Sequence, residues 1–345
     1  FKYGIELERS RTRSRAGIPG NAYYFDYSGY YYGGGYYPAV SYAYVGYYTY
    51  DQKAINHRAT AFVQDSWQVN DRWTVNPGLR FDFNRGSAPG RGNVFRTQPI
   101  SPRVGFTYDL TGKKKTVLKA HYGRYQEGLK SNYYQYLGPH AAADRAIYAF
   151  DPTTTTFDPY NPDPNLLISS QPQQRYKIDR GLEHPYMDQY LVAFEHDLGN
   201  DFAVKAELIY RRNKNFIESV SLDGDFDKVV AVGEDGKLIP LYNQNNLDDT
   251  LLIRNPDGLK REYSAIILTA TKRLSRRWQM LASYARSHAT GNIDNVDFST
   301  SAVQGSNYGP SAFLDTPNSL FNGQGTLTNR VLTNWCSLLL PLGAR

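Results

Sequence analysis

Segments of alternating apolar and polar residues come in pairs joined by very short turns, and long connections separate one pair from the next. Four pairs are present. Thr60 to Val69 turns at Asn70-Asp71-Arg72 and returns from Trp73, with Trp73, Val75, Leu79, Phe81 and Phe83 on one face and Thr74, Asn76, Arg80 and Asp82 on the other. Pro102 to Leu110 turns through Thr111-Gly112 and Lys113, Lys114 and Lys115 into Thr116 to Tyr125, and Val104, Phe106, Tyr108 and Leu110 oppose Arg103, Thr107 and Asp109. Tyr190, Val192, Phe194 and Leu198 pass through Gly199-Asn200-Asp201, good hairpin-turn chemistry, to Phe202, Val204, Ala206, Leu208 and Tyr210, with Lys205, Glu207 and Arg211 facing away. Ile266, Leu268, Ala270 and Leu274 pass through Ser275-Arg276-Arg277 to Trp278, Met280, Ala282 and Tyr284, with Gln279, Ser283 and Lys272 read as the polar side. The connections between pairs run over about residues 15–54, 85–100, 127–184, 214–258 and 288–328 and are rich in Gly, Pro, Asn and Tyr.

A soluble sandwich or propeller has no reason to gather its long loops at one end, whereas a transmembrane barrel has short turns on one side and long loops on the other. The predicted fold class is therefore all-β: residues 1–345 form part of one transmembrane antiparallel β-barrel of about ten strands. Its short turns are periplasmic and its long loops extracellular. A mean hydropathy of -0.58 with 21% charged residues fits, since only alternate residues of each strand meet lipid. No run approaches the ~18 to 20 apolar residues of a spanning helix. Aromatics open the strand after a short turn at Trp73, Phe202 and Trp278, and Trp67 approaches from the other side. Such rings form belts at membrane interfaces. Arg80, Lys119, Glu207 and Arg211 would line a watery lumen or touch an internal plug. Two residues fit poorly: Asp65 lies on the apolar face of its strand, and Pro77 deprives a paired strand of one donor.

These segments, FVQDSWQVNDRWTVNPGLRFDF, SPRVGFTYDLTGKKKTVLKAHYGRY, HPYMDQYLVAFEHDLG and YSAIILTATKRLSRRWQMLASYARS, resemble successive barrel segments of TonB-dependent outer-membrane receptors, in particular the Oar-like group, over about a third of the chain. The resemblance implies a barrel of 22 strands in the outer membrane of the Gram-negative cell envelope. It also implies an N-terminal plug, and a TonB-contacting segment that couples uptake to the proton gradient. None of the plug, that segment or a carboxypeptidase-like regulatory domain is present here, and the opening Phe1, Tyr3, Ile5 and Leu7 alternate like a strand already in progress. The expectation is a barrel domain truncated at both ends, with any export signal outside these residues. Near residue 330 the alternation fails, at Asn334-Trp335-Cys336 and the leucines after it, and an artefact or truncated reading is expected there.

The expected partners are outer-membrane lipid, the TonB complex through the missing plug, and an unidentified extracellular ligand. Tyr23 to Tyr50 contains many tyrosines around Gly33, Gly34 and Gly35. Tyr30, Tyr31, Tyr32, Tyr36 and Tyr37 are candidate ligand contacts, because tyrosine stacks on sugars or peptides at little entropic cost; mutual packing that orders the loop explains them equally well. Asp223 to Lys228, with Glu234 beyond, imitates a calcium loop but has Lys228 where the sharp turn needs Gly. Lys228 to Val232 and Lys237 to Tyr242 alternate instead around Glu234-Asp235-Gly236 as a small hairpin within the loop. The Asp, Asn and Pro-rich stretch from Asp151 reads as extended and solvated.

The single Cys336 allows no internal disulfide and no cysteine zinc site. His57, His121, His140, His184, His196 and His288 have no paired ligand spacing, and no Ser or Cys sits in a nucleophile motif. The chain is thus expected to be no enzyme and to need no metal or cofactor. Its net charge of +6 is spread among acids, which argues against nucleic acid. Three functions stay open, in descending order: an energised transporter barrel, a passive porin or adhesion-type barrel, and a soluble all-β carbohydrate-binding module. Iron chelates, cobalamin, glycans and peptides are all open as ligands.

Overall fold

A strand with one apolar and one polar face satisfies its backbone only by pairing along both edges, so alternation of this kind builds a sheet that separates two environments. The computed structural model describes residues 1–17, 30–32, 35–37, 42–46, 50–128, 134, 137, 145–149, 158, 161–171, 175–233, 236–245, 250–257, 259–291 and 327–339. Its main sheet has twelve strands, of which ten follow one another in a continuous path: β1 (Lys2–Ala16), β2 (Tyr50–Gln64), β3 (Trp73–Ala88), β4 (Ile100–Asp109), β5 (Thr116–Gln126), β6 (Tyr186–Gly199), β7 (Phe202–Lys214), β8 (Arg261–Ser275), β9 (Trp278–Gly291) and β10 (Leu327–Leu339); the short strands Trp67–Gln68 and Gly92–Thr97 pair with β3 off this path. Order in the sheet follows order in the chain and neighbours are antiparallel. This is the up-and-down meander of a barrel wall, here an open sheet.

The turns agree with their sequences. Asn200 and Asp201 take positive φ between β6 and β7, the two-residue geometry that Asn and Asp tolerate. Arg276 and Arg277 take it between β8 and β9, a conformation that suits them less well. Asn70 closes the turn before β3 by accepting from the N–H groups of Arg72 and Trp73 at 2.9 Å. Asp109 gathers the turn after β4, accepting from the backbone of Thr111 and Gly112 at 3.1 and 3.0 Å and of Lys114 at 2.6 Å.

Asp65 and Pro77 explain each other. β2 ends at Gln64, opposite Gly78, and Trp67 pairs with Val75, so Asp65 and Pro77 face each other in an unbroken register. The Asp65 N–H donates to the Pro77 carbonyl at 2.9 Å. Within a strand a residue's N–H and C=O point to the same side, so the donor Pro77 lacks would also have faced Asp65. One rung of the ladder is lost, beside a short interruption of the neighbouring strand. The Asp65 carboxylate accepts from the Ser66 N–H at 2.8 Å.

Two expectations need correction. The stretch 85–100 is not an irregular loop: β3 continues to Ala88, turns through Gly90 and Gly92, both at positive φ, and returns as the strand Gly92–Thr97 beside it. Lys272 lies on the apolar face, opposite Phe202 and Met280. Its long stem follows the apolar wall while its ammonium reaches the rim, 5.0 Å over the Trp278 ring, and donates to the Arg273 carbonyl at 3.0 Å and to Ser275 Oγ. Near residue 330, where side-chain alternation fails, the backbone Leu327 to Leu339 still pairs with β9 from Gly291 to Gln279. Ladder pairing needs backbone donors and acceptors, not alternating side chains.

Candidate functional site

The register sorts the side chains of the wall onto two faces. On the outer face lie Tyr3, Ile5 and Leu7 of β1, Leu79 and Phe81 of β3, Phe106 of β4, Val192 and Phe194 of β6, Leu208 of β7 and Leu268 of β8, all exposed. Between Tyr190 and Leu198 this surface runs ~27 Å along β6, which at a strand tilt of ~35–45° rises ~20 Å and spans most of the ~25 Å apolar band of membrane barrels. Rings mark both borders. At the short-turn end Trp73 stacks on Tyr108 at 4.2 Å; toward the long connections Tyr122, Tyr190 and Tyr210 form a row with centroids 5.0 and 6.2 Å apart. An apolar groove of about 730 Å³ crosses the band where Ala206, Ala270 and Ala282 leave room between Phe194, Leu268 and Tyr284.

The inner face carries ions and amides. Lys119 of β5 reaches both carboxylate oxygens of Glu195 on β6 at 2.8 Å, and Lys205 of β7 joins Glu195 at 3.9 Å to Glu207 at 2.8 Å. Arg80 grips Asp82, which also accepts from Thr60 at 2.6 Å. Arg58 reaches Glu6 and Glu8 at 3.3 and 2.5 Å, and Arg211 donates to Gln189 at 2.8 Å. Such ladders are costly in a dry core and natural on a wet lumen or against a polar occupant.

At the long-connection end the inner face turns apolar, and parts of the connections pack into it. Ala54 of β2, Ala88 of β3 and Phe95 form one core with Tyr134, Leu137, Tyr176, Leu182, Ile217 and Ile253. Phe95 meets Tyr134 edge-on at 5.1 Å. Its ring can lie across β3 only because residue 86 is glycine: a Cβ there would stand 2.1 Å from it. Two small sheets knit the connections together. Tyr42–Gly46, Arg145–Ala149 and Leu167–Gln171 form one; Arg175–Ile178, Thr250–Arg254 and Glu218–Ser221 form the other, with the first two strands parallel. The expected small hairpin is present as Phe226–Val232 paired with Leu238–Gln244.

Two side chains pin this cap to the wall. Asn255 accepts from the Glu183 N–H at 2.7 Å and shares its own N–H groups among the carbonyls of Asn215, Phe216 and Glu183 at 2.8, 3.3 and 3.2 Å. The segments before β6, after β7 and before β8 thus meet on one amide, beside a polar cleft of about 360 Å³ lined in part by Arg212, Lys214 and Asp257. Asn255→Ala is expected to cost the cap about 1–3 kcal/mol. Asn255→Asp is expected to cost more, because it turns a carboxylate toward three carbonyl oxygens. Hydrogen exchange at 183 and 215–217 reads both.

His184 is the second pin, buried at the end of the 127–185 connection. Its Nε2 donates to the Glu127 carbonyl, so Nδ1 accepts from the Thr97 hydroxyl at 3.0 Å. Burial lowers its pKa, opposed in part by the Glu127 hydrogen bond, and the ring is neutral. A depressed folded value means that this contribution is complete above the ordinary imidazole value of about 6.5 and is lost as pH falls through the lower folded value. Exchange in 92–97 and 182–185, corrected for intrinsic rates, should therefore accelerate on acidification, and His184→Gln should remove that pH dependence.

Of the candidate ligand contacts, the strand Tyr30–Tyr32 pairs with Gly35–Tyr37, placing Tyr30 opposite Tyr37 and Tyr31 opposite Tyr36. The side chains of Tyr30, Tyr31, Tyr32, Tyr36 and Tyr37 lie outside the described residues. Sequence reasoning missed Asn255, His184 and Phe95, whose partners come from distant segments and leave no local signal.

An antiparallel wall with one lipid-compatible face, one ionic face and ring belts between is that of a β-barrel membrane protein. A model of the outer membrane β-barrel domain matches residues 86–328, and the chain belongs to that family, which places it in the outer membrane. No curated protein sequence matches it. Among solved structures it is similar to the siderophore receptor PirA from Acinetobacter baumannii, at 9% identity over 98% of this chain and 49% of that one, with a TM-score of 0.40. It is similar also to the alcaligin outer membrane receptor FauA from Bordetella pertussis, at 11% identity over 85% and 44% with a TM-score of 0.36. The toluene transporter TodX from Pseudomonas putida matches at 8% identity over 84% and 76%, with a TM-score of 0.27. The chain spans about half the length of the two receptors.

Proposed function

We propose that this wall belongs to a TonB-energised receptor of the Oar-like group that takes up, or binds at the surface, an extracellular ligand. In this reading the complete barrel has 22 strands, the ion ladders of the inner face meet a plug supplied by the rest of the protein, and the long connections face outward. The protein is a transporter and not an enzyme. The observation that carries the reading is the cap: two small sheets knit parts of three long connections together, and a shared core seats two of them on the inner wall at the long-connection end. A passive pore has less use for so much ordered chain across its mouth, whereas a receptor needs a shaped surface there. The tyrosine hairpin at residues 30–37 lies in the first of these connections and is assigned to ligand contact.

The test is to express the complete reading frame with its native leader. The product should reach the outer-membrane fraction as a heat-modifiable protein that requires detergent. Cells that carry it should then deplete a compound from rich medium that deletion cells leave behind, and a protonophore should stop this. Depletion that survives collapse of the gradient would replace the energised reading with a passive porin.

A further inference from the structure

Above the apolar band, on the side of the long connections, the outer face carries charged residues in both halves of the sheet, and the row that borders the band differs between the halves. Across β5 to β8 the register aligns Arg124, Asp188, Arg212 and Glu262. Signs alternate in this row, and Arg124 meets Asp188 at 2.8 Å and Arg212 meets Glu262 at 3.4 Å. Across β1, β2, β3 and the strand Gly92–Thr97 the register aligns Arg9, His57, Arg85 and Arg96. All four are exposed. Among the described residues none of them has an acidic partner: Arg85 donates to Asn93, Arg96 lies over the Phe83 ring at 4.9 Å, and Asp51, farther up the same face opposite Arg15, is taken by Arg13 and Lys53.

Like charges directly opposite one another in a sheet are destabilising, so a row of donors without acids is held at a cost unless an anion lies against it. The row directly beneath, toward the short turns, is Leu7, Ala59 and Phe83, part of the lipid-facing wall. An occupant that fits both rows has phosphate above and acyl chain below. We propose that Arg9, His57, Arg85 and Arg96 seat the phosphate groups of a phosphorylated lipid of the surrounding leaflet, with its chains against Leu7 and Phe83. Guanidinium groups suit this task because their paired N–H donors match phosphate oxygens. That the leaflet is the outer one rests on the outward orientation of the long connections proposed above.

The experiment uses the full-length protein in phosphatidylcholine nanodiscs doped with bis-phosphorylated lipid A or with the same lipid dephosphorylated, with retained lipid counted by native mass spectrometry. The wild type should retain the phosphorylated form at least roughly tenfold over the other. The Arg9→Gln, Arg85→Gln, Arg96→Gln triple variant should lose that preference. The triple lysine variant, which keeps the charge, should retain most of it, and Arg124→Gln with Arg212→Gln in the other half should leave it unchanged. Equal retention by the wild type and the triple glutamine variant would overturn the proposal, as would an equal loss in the Arg124 and Arg212 control. Orientation is read separately, by labelling Asn93→Cys on intact cells with an impermeant maleimide. Nanodisc leaflets are identical, so failure to label would overturn the outward orientation and the outer-leaflet assignment while leaving the phosphate preference standing.

Discussion

Phe95→Ala should detach the cap from the wall while the wall itself stays folded. Phe95 is the largest wall residue in the shared core, packed edge-on against Tyr134, and truncating a buried phenylalanine costs about 3–5 kcal/mol. The loss falls on a local unit, because the ten-strand ladder below makes its own hydrogen bonds and faces its own solvent on each side. Heat-modifiability should therefore be unchanged. Protease nicking within 127–185 and 215–260 should rise by two orders of magnitude or more, and exchange in Arg175–Ile178 and Thr250–Arg254 should lose most of its protection. Gly86→Val should give a similar outcome from the other side, since its Cβ would stand where the Phe95 ring lies. Nicking at the wild-type rate in Phe95→Ala would mean that the connections are held by the small sheets and the two pins, and that the core contributes little.

How much of this was legible in the sequence depends on how local each cause is. The four hairpins were readable because alternation and turn chemistry act over a few residues: Gly199-Asn200-Asp201 fixes the β6–β7 pairing, and that pairing alone sets Lys205 opposite Glu195. The contact of Lys119 with Glu195 was not readable, since it depends on how β5 meets β6 across the whole 127–185 connection. The cap was hidden for the same reason. Tyr176, Ile217 and Ile253 sit in stretches whose Gly, Pro and Asn read as solvated loop, and the parallel pairing of Arg175–Ile178 with Thr250–Arg254 has no local signature. The small hairpin after Asp225 was found because its causes are local. Lys272 was misplaced by residue type: its parity with Leu268 and Ala270 assigns it to the apolar face, and a lysine at a membrane border can lie there by reaching past it. The spacing of a histidine in the sequence bears only on local ligand pairs, while His184 acts through Thr97 and Glu127 from other segments.

The second large effect separates the two faces of the wall within a single strand. Leu208 and Ile209 are adjacent in β7; Leu208 is exposed on the outer face between Val192 and Ile266, and Ile209 is half-buried on the inner face between Leu191 and Ala265. Leu208→Arg puts a charge in the lipid-facing band one row below the Tyr190 and Tyr210 rings, where the cost of a lipid-facing arginine lies between about 1 kcal/mol at the interface and about 2–4 kcal/mol at the midplane. Ile209→Arg puts the same charge among Glu207, Arg211 and the solvent of the inner wall, and should cost less than half as much. The inner variant also gives up a β-branched residue and its strand propensity, so a larger loss in Leu208→Arg reports the solvent on the outer face. Denaturant unfolding of the full-length protein in vesicles, followed by tryptophan fluorescence, measures both. In detergent, whose thinner and softer belt lets the guanidinium reach water, the gap should shrink. A soluble sheet with the apolar face buried against a second layer would give the same ranking but no change between vesicle and detergent, so that comparison isolates the lipid contact.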